Sequence, residues 1–248
     1  MARLFDDASS EYLGIASAVI SGPPFTMACW GWTDDLTAQR ALMFCGYSSY
    51  ADQHYTLELR GQDAGDPITG WARAGNDARA ATTAGPSASA WFHAAYVESA
   101  VDSRAVYLDG ANKGTNATSS TPTPAPDATA VGRNSDSTPG QYWSGSVAEA
   151  GIWNVALTDA EVASLAAGYS PLFVRPQSLV AYWSLIRDED HDRVGGYDMT
   201  AYNTPAVAAH PAIIYPAQVY QSFSAAGAPP AGPSIPVFMH HYRQQGMI

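Results

Sequence analysis

The chain is nearly without lysine: Lys113 is the only one in 248 residues, and Lys plus Arg number 12 against 23 Asp plus Glu. A net charge of −11 excludes the basic face that a nucleic-acid partner requires. Cysteine is just as scarce. Cys29 and Cys45 are too few for a disulfide framework, and they read as separate reduced core thiols, with pairing left open. No apolar run is long enough to cross a bilayer, so no membrane insertion is expected. The opening MARLFDDASSEY has no apolar signal core, which gives the expectation of a protein made in a cytoplasm and not exported by the usual route.

What is present favours strands. Charged residues are only 14% while 46% are apolar, enough for a sizeable core. Tyr, Trp, Thr, Ser, Gly and Pro are plentiful, a bias toward strands and turns. The landmark is Val131–Gly168, read as a strand, a loop, a strand over Trp143–Trp153, and one short helix. Thr158 is a good N-cap with Glu161 three residues on, a capping box. Leu157 and Val162 can form a hydrophobic staple, and Gly168 ends the helix.

Further strands are expected at Leu4–Phe5, Glu11–Ile15, Phe25–Trp32, Ala41–Cys45, His54–Arg60, Trp71–Arg73, Ser178–Leu185 and Tyr197–Tyr202. Ala90–Glu98 and Arg104–Leu108 read as a hairpin. Thr115–Thr129 reads as a loop or weak edge strand, because prolines at 122, 124 and 126 forbid a central one. From about Thr204 the chain turns proline- and alanine-rich and nearly free of acidic residues. That composition predicts an extended, semi-rigid arm rather than a second core. The expected division is a domain over residues 1–205 and an arm over 206–248.

Several ordered segments resemble one family. WFHAAYVESAVDSRAVYLDG is similar to the hairpin of laminin-G-like domains in the concanavalin A-like lectin/glucanase superfamily. VGRNS…YWSGSVAEAGIWNVALTDAEV resembles the family segment that ends in a short helix, and LFDDASSEYL and FTMACWGW resemble its early strands. SLVAYWSL…GGYDMTAYNTP resembles an ending found on such domains in phage-encoded proteins. The resemblance covers roughly residues 4–205. It implies an all-β, antiparallel two-sheet jelly-roll sandwich with one short helix and an extended C-terminal arm. It also places Trp30, Trp91, Trp143, Trp153 and Trp183 at core positions.

Each chemistry candidate has a plainer reading beside it. Related glucanases carry paired carboxylates two residues apart on one strand, so that both share a face. No such run occurs: Glu58 has no carboxylate two residues away, and Glu149 has Val147 and Gly151 there. The reading is therefore non-catalytic. Calcium is a minority reading at Asp6, Asp7, Asp109, Asp188 and Asp190, where turn chemistry is the plainer account. Ala148, which replaces a family Asp, lowers the odds of metal. No cofactor is expected. Tyr47, Tyr50, Trp71 and Tyr142 lie near loops and are candidates for stacking on sugar rings. In the arm, Ile213, Tyr215, Tyr220, Phe223, Val237, Phe238, Met239 and Tyr242 are apolar side chains that a solvated tail would not need. They are candidates for docking on a neighbour.

Together these readings predict a bacteriophage virion protein, most simply a capsid decoration protein. Its arm would dock on virion partners such as the major capsid protein, or on copies of itself, and its jelly roll would face outward at the particle surface. That surface would stabilise the shell or adhere to glycans. The alternatives are a tail or fibre adhesin, a stand-alone lectin, or, last, a glycan hydrolase.

Overall fold

The structure is a computed structural model, and it describes residues 1–186 and 190–216. Tyr220, Phe223, Val237, Phe238, Met239, Tyr242 and Asp188 lie outside the described residues. Fifteen strands and one helix follow each other along the described chain: β1 (Ala2–Phe5), β2 (Tyr12–Ile15), β3 (Phe25–Thr33), β4 (Gln39–Gly46), β5 (Gln53–Arg60), β6 (Ile68–Ala74), β7 (Asp77–Ala81), β8 (Ala90–Ala100), β9 (Ser103–Leu108), β10 (Asn112–Asn116), β11 (Ala128–Val131), β12 (Gly145–Trp153), α1 (Asp159–Ala166), β13 (Leu179–Trp183), β14 (Thr200–Tyr202) and β15 (Ala206–Ala208). They form two antiparallel sheets of a jelly-roll sandwich. Sheet one has the order β10-β9-β8-β3-β12-β1-β15, with β13 also paired to β12. Sheet two has the order β14-β2-β11-β4-β5-β6-β7.

The core lies between the sheets because alternate residues of each strand face inward. Phe25, Met27 and Cys29 on β3 meet Phe92, Ala94 and Tyr96 on β8; Tyr55, Leu57 and Leu59 on β5 face them from sheet two. Gly70 on β6 makes room for this layer, since a Cβ there would lie 2.3 Å from the Tyr96 ring. Cys29 and Cys45 are free and buried, and burial pushes the Cys45 thiol up to about 11. A second apolar cluster forms on the outer face of sheet one. There Ala28, Ala95, Val97 and Trp153 are covered by Leu157, Val162 and Leu165 of the helix region and by Val174 and Leu179. The capping box of Thr158 and Glu161 is present, and Leu157 and Val162 share this cluster.

One departure from regular pairing organises the far edge of sheet one. β12 loses register against β3 between Ala148 and Gly151, and Glu149 sits there with φ of +55°. β1 pairs with the first part of β12 and β13 with the last part, on the same edge. The Glu149 side chain is 2% exposed. Its carboxylate accepts hydrogen bonds from the hydroxyls of Tyr182 and Tyr215, both at 2.7 Å, and meets His210 Nε2 at 3.2 Å.

Those contacts move the boundary of the domain. Residues 206–216, assigned above to the arm, belong to the compact unit Met1–Pro216. β15 adds to the edge of β1, and Ile214 exchanges backbone hydrogen bonds with Gly168 and Ser170. Of the arm's docking candidates, Tyr215 thus reaches its own domain, while Ile213 lies in the segment beside it. The backbone polar groups of a sheet edge supply the reason: an unpaired edge recruits any strand within reach.

Replacing Glu149 with Leu leaves the Tyr182 and Tyr215 hydroxyls without their carboxylate acceptor, while His210 keeps the Ser184 carbonyl at 3.3 Å. The expected loss is about 2–4 kcal/mol in urea unfolding, with faster proteolysis within residues 209–216. Unchanged stability and unchanged protection would remove Glu149 from this role.

Candidate functional site

The two outer faces differ. That of sheet one is largely roofed by α1 and the chain after it. That of sheet two carries polar, charged and aromatic side chains, because Leu13, Ile15, Tyr55, Leu57 and Leu59 take the inward positions of their strands. Cross-strand pairing sets one outer row: Thr200, Gly14, Ala130, Phe44, Thr56, Trp71 and Arg79. A parallel row runs Ala41, Glu58, Thr69, Ala81.

The segment from Gly132 to Tyr142 folds over the middle of this face. The Gln141 carbonyl accepts from Ala41 N at 2.8 Å, and Gly132 N donates to Leu42 O at 3.0 Å. Asp136 ends 3.7 Å from His54 Nδ1. Burial holds His54 well below its ordinary value, at about 3, so the imidazole is neutral and this contact is not an ion pair.

At one end of the segment lies an aromatic platform. Tyr12 and Tyr202 stand opposite each other on β2 and β14 and stack with centroids 4.4 Å apart and planes 2° apart. Arg133 lies 3.6 Å over the Tyr12 ring, so it must occupy the other face of that ring. Tyr142 tilts against Tyr12 at 6.3 Å. Gly14 lets Tyr12 lie along its own strand, since a Cβ there would be 3.0 Å from the ring. Tyr202 remains 42% exposed. Aromatic rings held flat and exposed beside a guanidinium suit a ligand with one apolar and one hydroxylated side.

At the other end Trp71 is 8% exposed, with the guanidiniums of Arg73, Arg79 and Arg60 at 4.7, 5.2 and 5.9 Å from its ring. Beneath lies Glu58, fully buried, which accepts from Gln39 Nε2 at 2.8 Å and Thr69 Oγ1 at 3.0 Å. Burial raises the Glu58 pKa.

The sugar-stacking candidates therefore separate. Tyr142 belongs to the platform. Trp71 stands on β6, as expected of Trp71–Arg73, and is largely covered by arginines. Tyr47 and Tyr50 stack on each other at 5.2 Å in the β4–β5 loop, with Tyr50 56% exposed. Tyr12 and Tyr202 were missed, although the inward Leu13 and Ile15 already imply an outward Tyr12.

The acidic candidates are engaged in turns and ion pairs. Asp6 accepts from Ala8 N and Ser9 Oγ, and Asp7 meets Arg40 at 2.9 Å. Asp109 accepts from His93 N at 2.8 Å, and Asp190 meets Arg3. Among the described residues, no three His, Cys, Asp or Glu side chains converge as metal ligands do.

A family model described as the concanavalin A-like lectin/glucanases superfamily matches residues 7–163, well over half of the chain. The chain belongs to this superfamily. A search of curated proteins returned no match. Solved structures of the superfamily fold superpose at low identity. A putative carbohydrate-binding protein from Bacteroides ovatus gives a TM-score of 0.58 at 18% identity, over 83% of this chain and 61% of that one. A heptameric SAP-like pentraxin from Limulus polyphemus gives 0.55 at 17%, over 66% and 78%. Domain 4 of the arabinanase AbnA from Geobacillus stearothermophilus, solved with arabinotriose, gives 0.51 at 19%, over 66% and 76%.

Within the superfamily fold, Trp143, Trp153 and Trp183 are fully buried, as the resemblance implied. Trp30 and Trp91 are not. They stand partly exposed with Trp32 on the outer face of sheet one, because their strand positions alternate with the inward Cys29 and Phe92.

His54 and His93 are both buried and held at about 3 by desolvation. Their ordinary value is near 6.5, so the unfolded chain binds protons that the folded one refuses. Each histidine therefore adds stability that is complete above pH 6.5 and is lost as pH falls toward 3, by about 1.4 kcal/mol per pH unit. His54→Gln or His93→Gln should flatten the urea-unfolding profile between pH 6.5 and 4. An unchanged slope in both variants would show that neither is buried neutral.

Proposed function

We propose that this chain is a non-catalytic carbohydrate-binding module that meets its glycan at the Tyr12–Tyr142–Tyr202 platform on sheet two. The observation that carries the reading is the parallel Tyr12–Tyr202 stack, backed by Arg133 and left open on the Tyr202 side. Building such a stack costs side-chain freedom, and its open face is the kind that sugar C–H groups cover. Two of the structural relatives point the same way by name, one as a putative carbohydrate-binding protein and one as an arabinanase domain bound to arabinotriose. No carboxylate pair at strand spacing supports hydrolysis, so binding without chemistry is the simpler reading.

A second role belongs to the sequence beyond Pro216. Its proline-rich, apolar composition supports attachment to a larger assembly, and the phage-type ending of the domain supports a virion. In that setting the module is a decoration protein or adhesin presented at the particle surface. The segment 206–216 is fixed to sheet one, so attachment would begin after it.

Tyr202→Ala and Tyr12→Ala should each lower affinity for array-identified glycans by about tenfold or more, with little change in thermal unfolding. A wild-type protein silent on a broad array at high concentration would end the carbohydrate reading. For attachment, a chain cut after Pro216 should fold yet fail to load onto particles; loading that persists would place attachment elsewhere.

A further inference from the structure

The arginines around Trp71 do not belong to the tyrosine platform, and they define a second feature of the same face. They border a shallow depression of about 330 Å³ with Asp52, Asp77 and Asn76. Three of the chain's 12 basic side chains thus meet on one indole.

Each guanidinium is paired with one or two carboxylates. Arg73 Nε lies 2.6 Å from Asp52; Arg79 Nη2 donates to Asp77 at 2.8 Å with Nη1 3.6 Å from Asp63; and Arg60 Nε donates to Asp63 at 3.2 Å with Nη1 3.8 Å from Glu58. A guanidinium has five N–H groups in a planar fork, so these contacts leave donors over. The aspartates are 40–61% exposed, and exposed pairs of this kind contribute little, so exchange for another anion is cheap.

Two groups at the depression show which chemistry is missing. Trp71 Nε1 and Arg79 Nη1 are buried with no hydrogen-bond partner among the described residues, Arg79 Nη1 standing 3.6 Å from Asp63. Both can only donate. A buried donor without an acceptor is costly, and a ligand oxygen relieves that cost once the guanidiniums shift aside. Glu58 accepts from Gln39 and Thr69, and Asp52 Oδ1, which makes no hydrogen bond, already faces Arg73 Nε at 2.6 Å. The groups left for a ligand are therefore the Trp71 and Arg79 N–H donors, and planar guanidinium forks suit carboxylate and sulfate oxygens.

We infer that the Trp71 depression is a subsite for a sugar-borne oxyanion, a carboxylate or a sulfate, so that the glycan bound is acidic. The inference rests on the carbohydrate-binding reading above. A net charge of −11 works against unspecific capture of a polyanion, so binding of one reports on this local cluster.

The test uses the full chain and four polymers in biolayer interferometry: polygalacturonate, dextran sulfate, and the uncharged counterparts methyl-esterified polygalacturonate and dextran. At least one acidic polymer should bind, about tenfold more tightly than its uncharged counterpart. Arg73→Gln and Arg79→Gln should each remove about that factor, while Lys113→Gln, which deletes the same charge on sheet one, should not. Preference between the two acidic polymers separates carboxylate from sulfate. Trp71→Phe, which keeps the ring and removes Nε1–H, serves where an arginine variant folds poorly, and it should weaken acidic binding as well. Equal binding of charged and uncharged polymers, or acidic binding that survives these variants, overturns the inference and leaves the platform reading standing. Binding confined to neutral members of a glycan array does the same. Silence toward every polymer and the whole array overturns both.

Discussion

One carboxylate, that of Glu149, holds together the edge on which the rest of the fold closes. β12 must pair with β3 along one side and divide its other side between β1 and β13. The division falls at a register break, where Glu149 adopts a left-handed backbone conformation that costs a non-glycine residue about 1–3 kcal/mol. The cost is offset where it arises. The same backbone turn brings the carboxylate to Tyr182 of β13 and to Tyr215 and His210 of the returning chain. Two separate segments are thereby tied to one strand, and the sandwich gains an edge that neither β1 nor β13 could supply alone.

The asymmetry of the two outer faces follows from that closure. The chain leaves β12 into α1 and spends its apolar residues on sheet one, where they cover Trp153 and Ala28. Nothing comparable is left for sheet two. Its outer face is covered in the middle by a segment rich in polar residues, from Gly132 to Tyr142, and is open at both ends. Buried polar groups collect there because a polar cover brings them with it: His54, Thr56, Glu58 and Asp136 are all nearly inaccessible. A face whose inaccessible groups are polar and whose accessible groups are aromatic differs in kind from the apolar face that α1 covers on sheet one.

Much of the architecture was legible because it rests on local patterns. The alternation of Phe25, Met27 and Cys29, the hairpin around Val101–Asp102 and the Thr158 capping box are each written in adjacent residues. What was missed depends on residues far apart in sequence. Tyr12 and Tyr202 meet only because β14 returns to β2. Tyr215 looked like a docking residue because its partner Glu149 lies 66 positions away. Trp30 and Trp91 were assigned inward by family position, yet the inward Cys29 and Phe92 beside them already required the opposite face. Period-two reasoning, carried through every strand, would have found these tryptophans and Tyr12. It could not have found the Glu149 node.

The arginines show where reading from totals fails. A chain with an excess of 11 negative charges looks like one that repels anions. Charge acts over roughly 8–10 Å at physiological salt, so what a ligand senses is the local arrangement and not the sum. Around Trp71 the carboxylates pair with guanidinium edges, and Trp71 Nε1 and Arg79 Nη1 make no hydrogen bond among the described residues. The global excess then sharpens selectivity instead of abolishing binding. It lowers the background attraction for any polyanion, and leaves a site whose hold depends on donors placed against one aromatic ring.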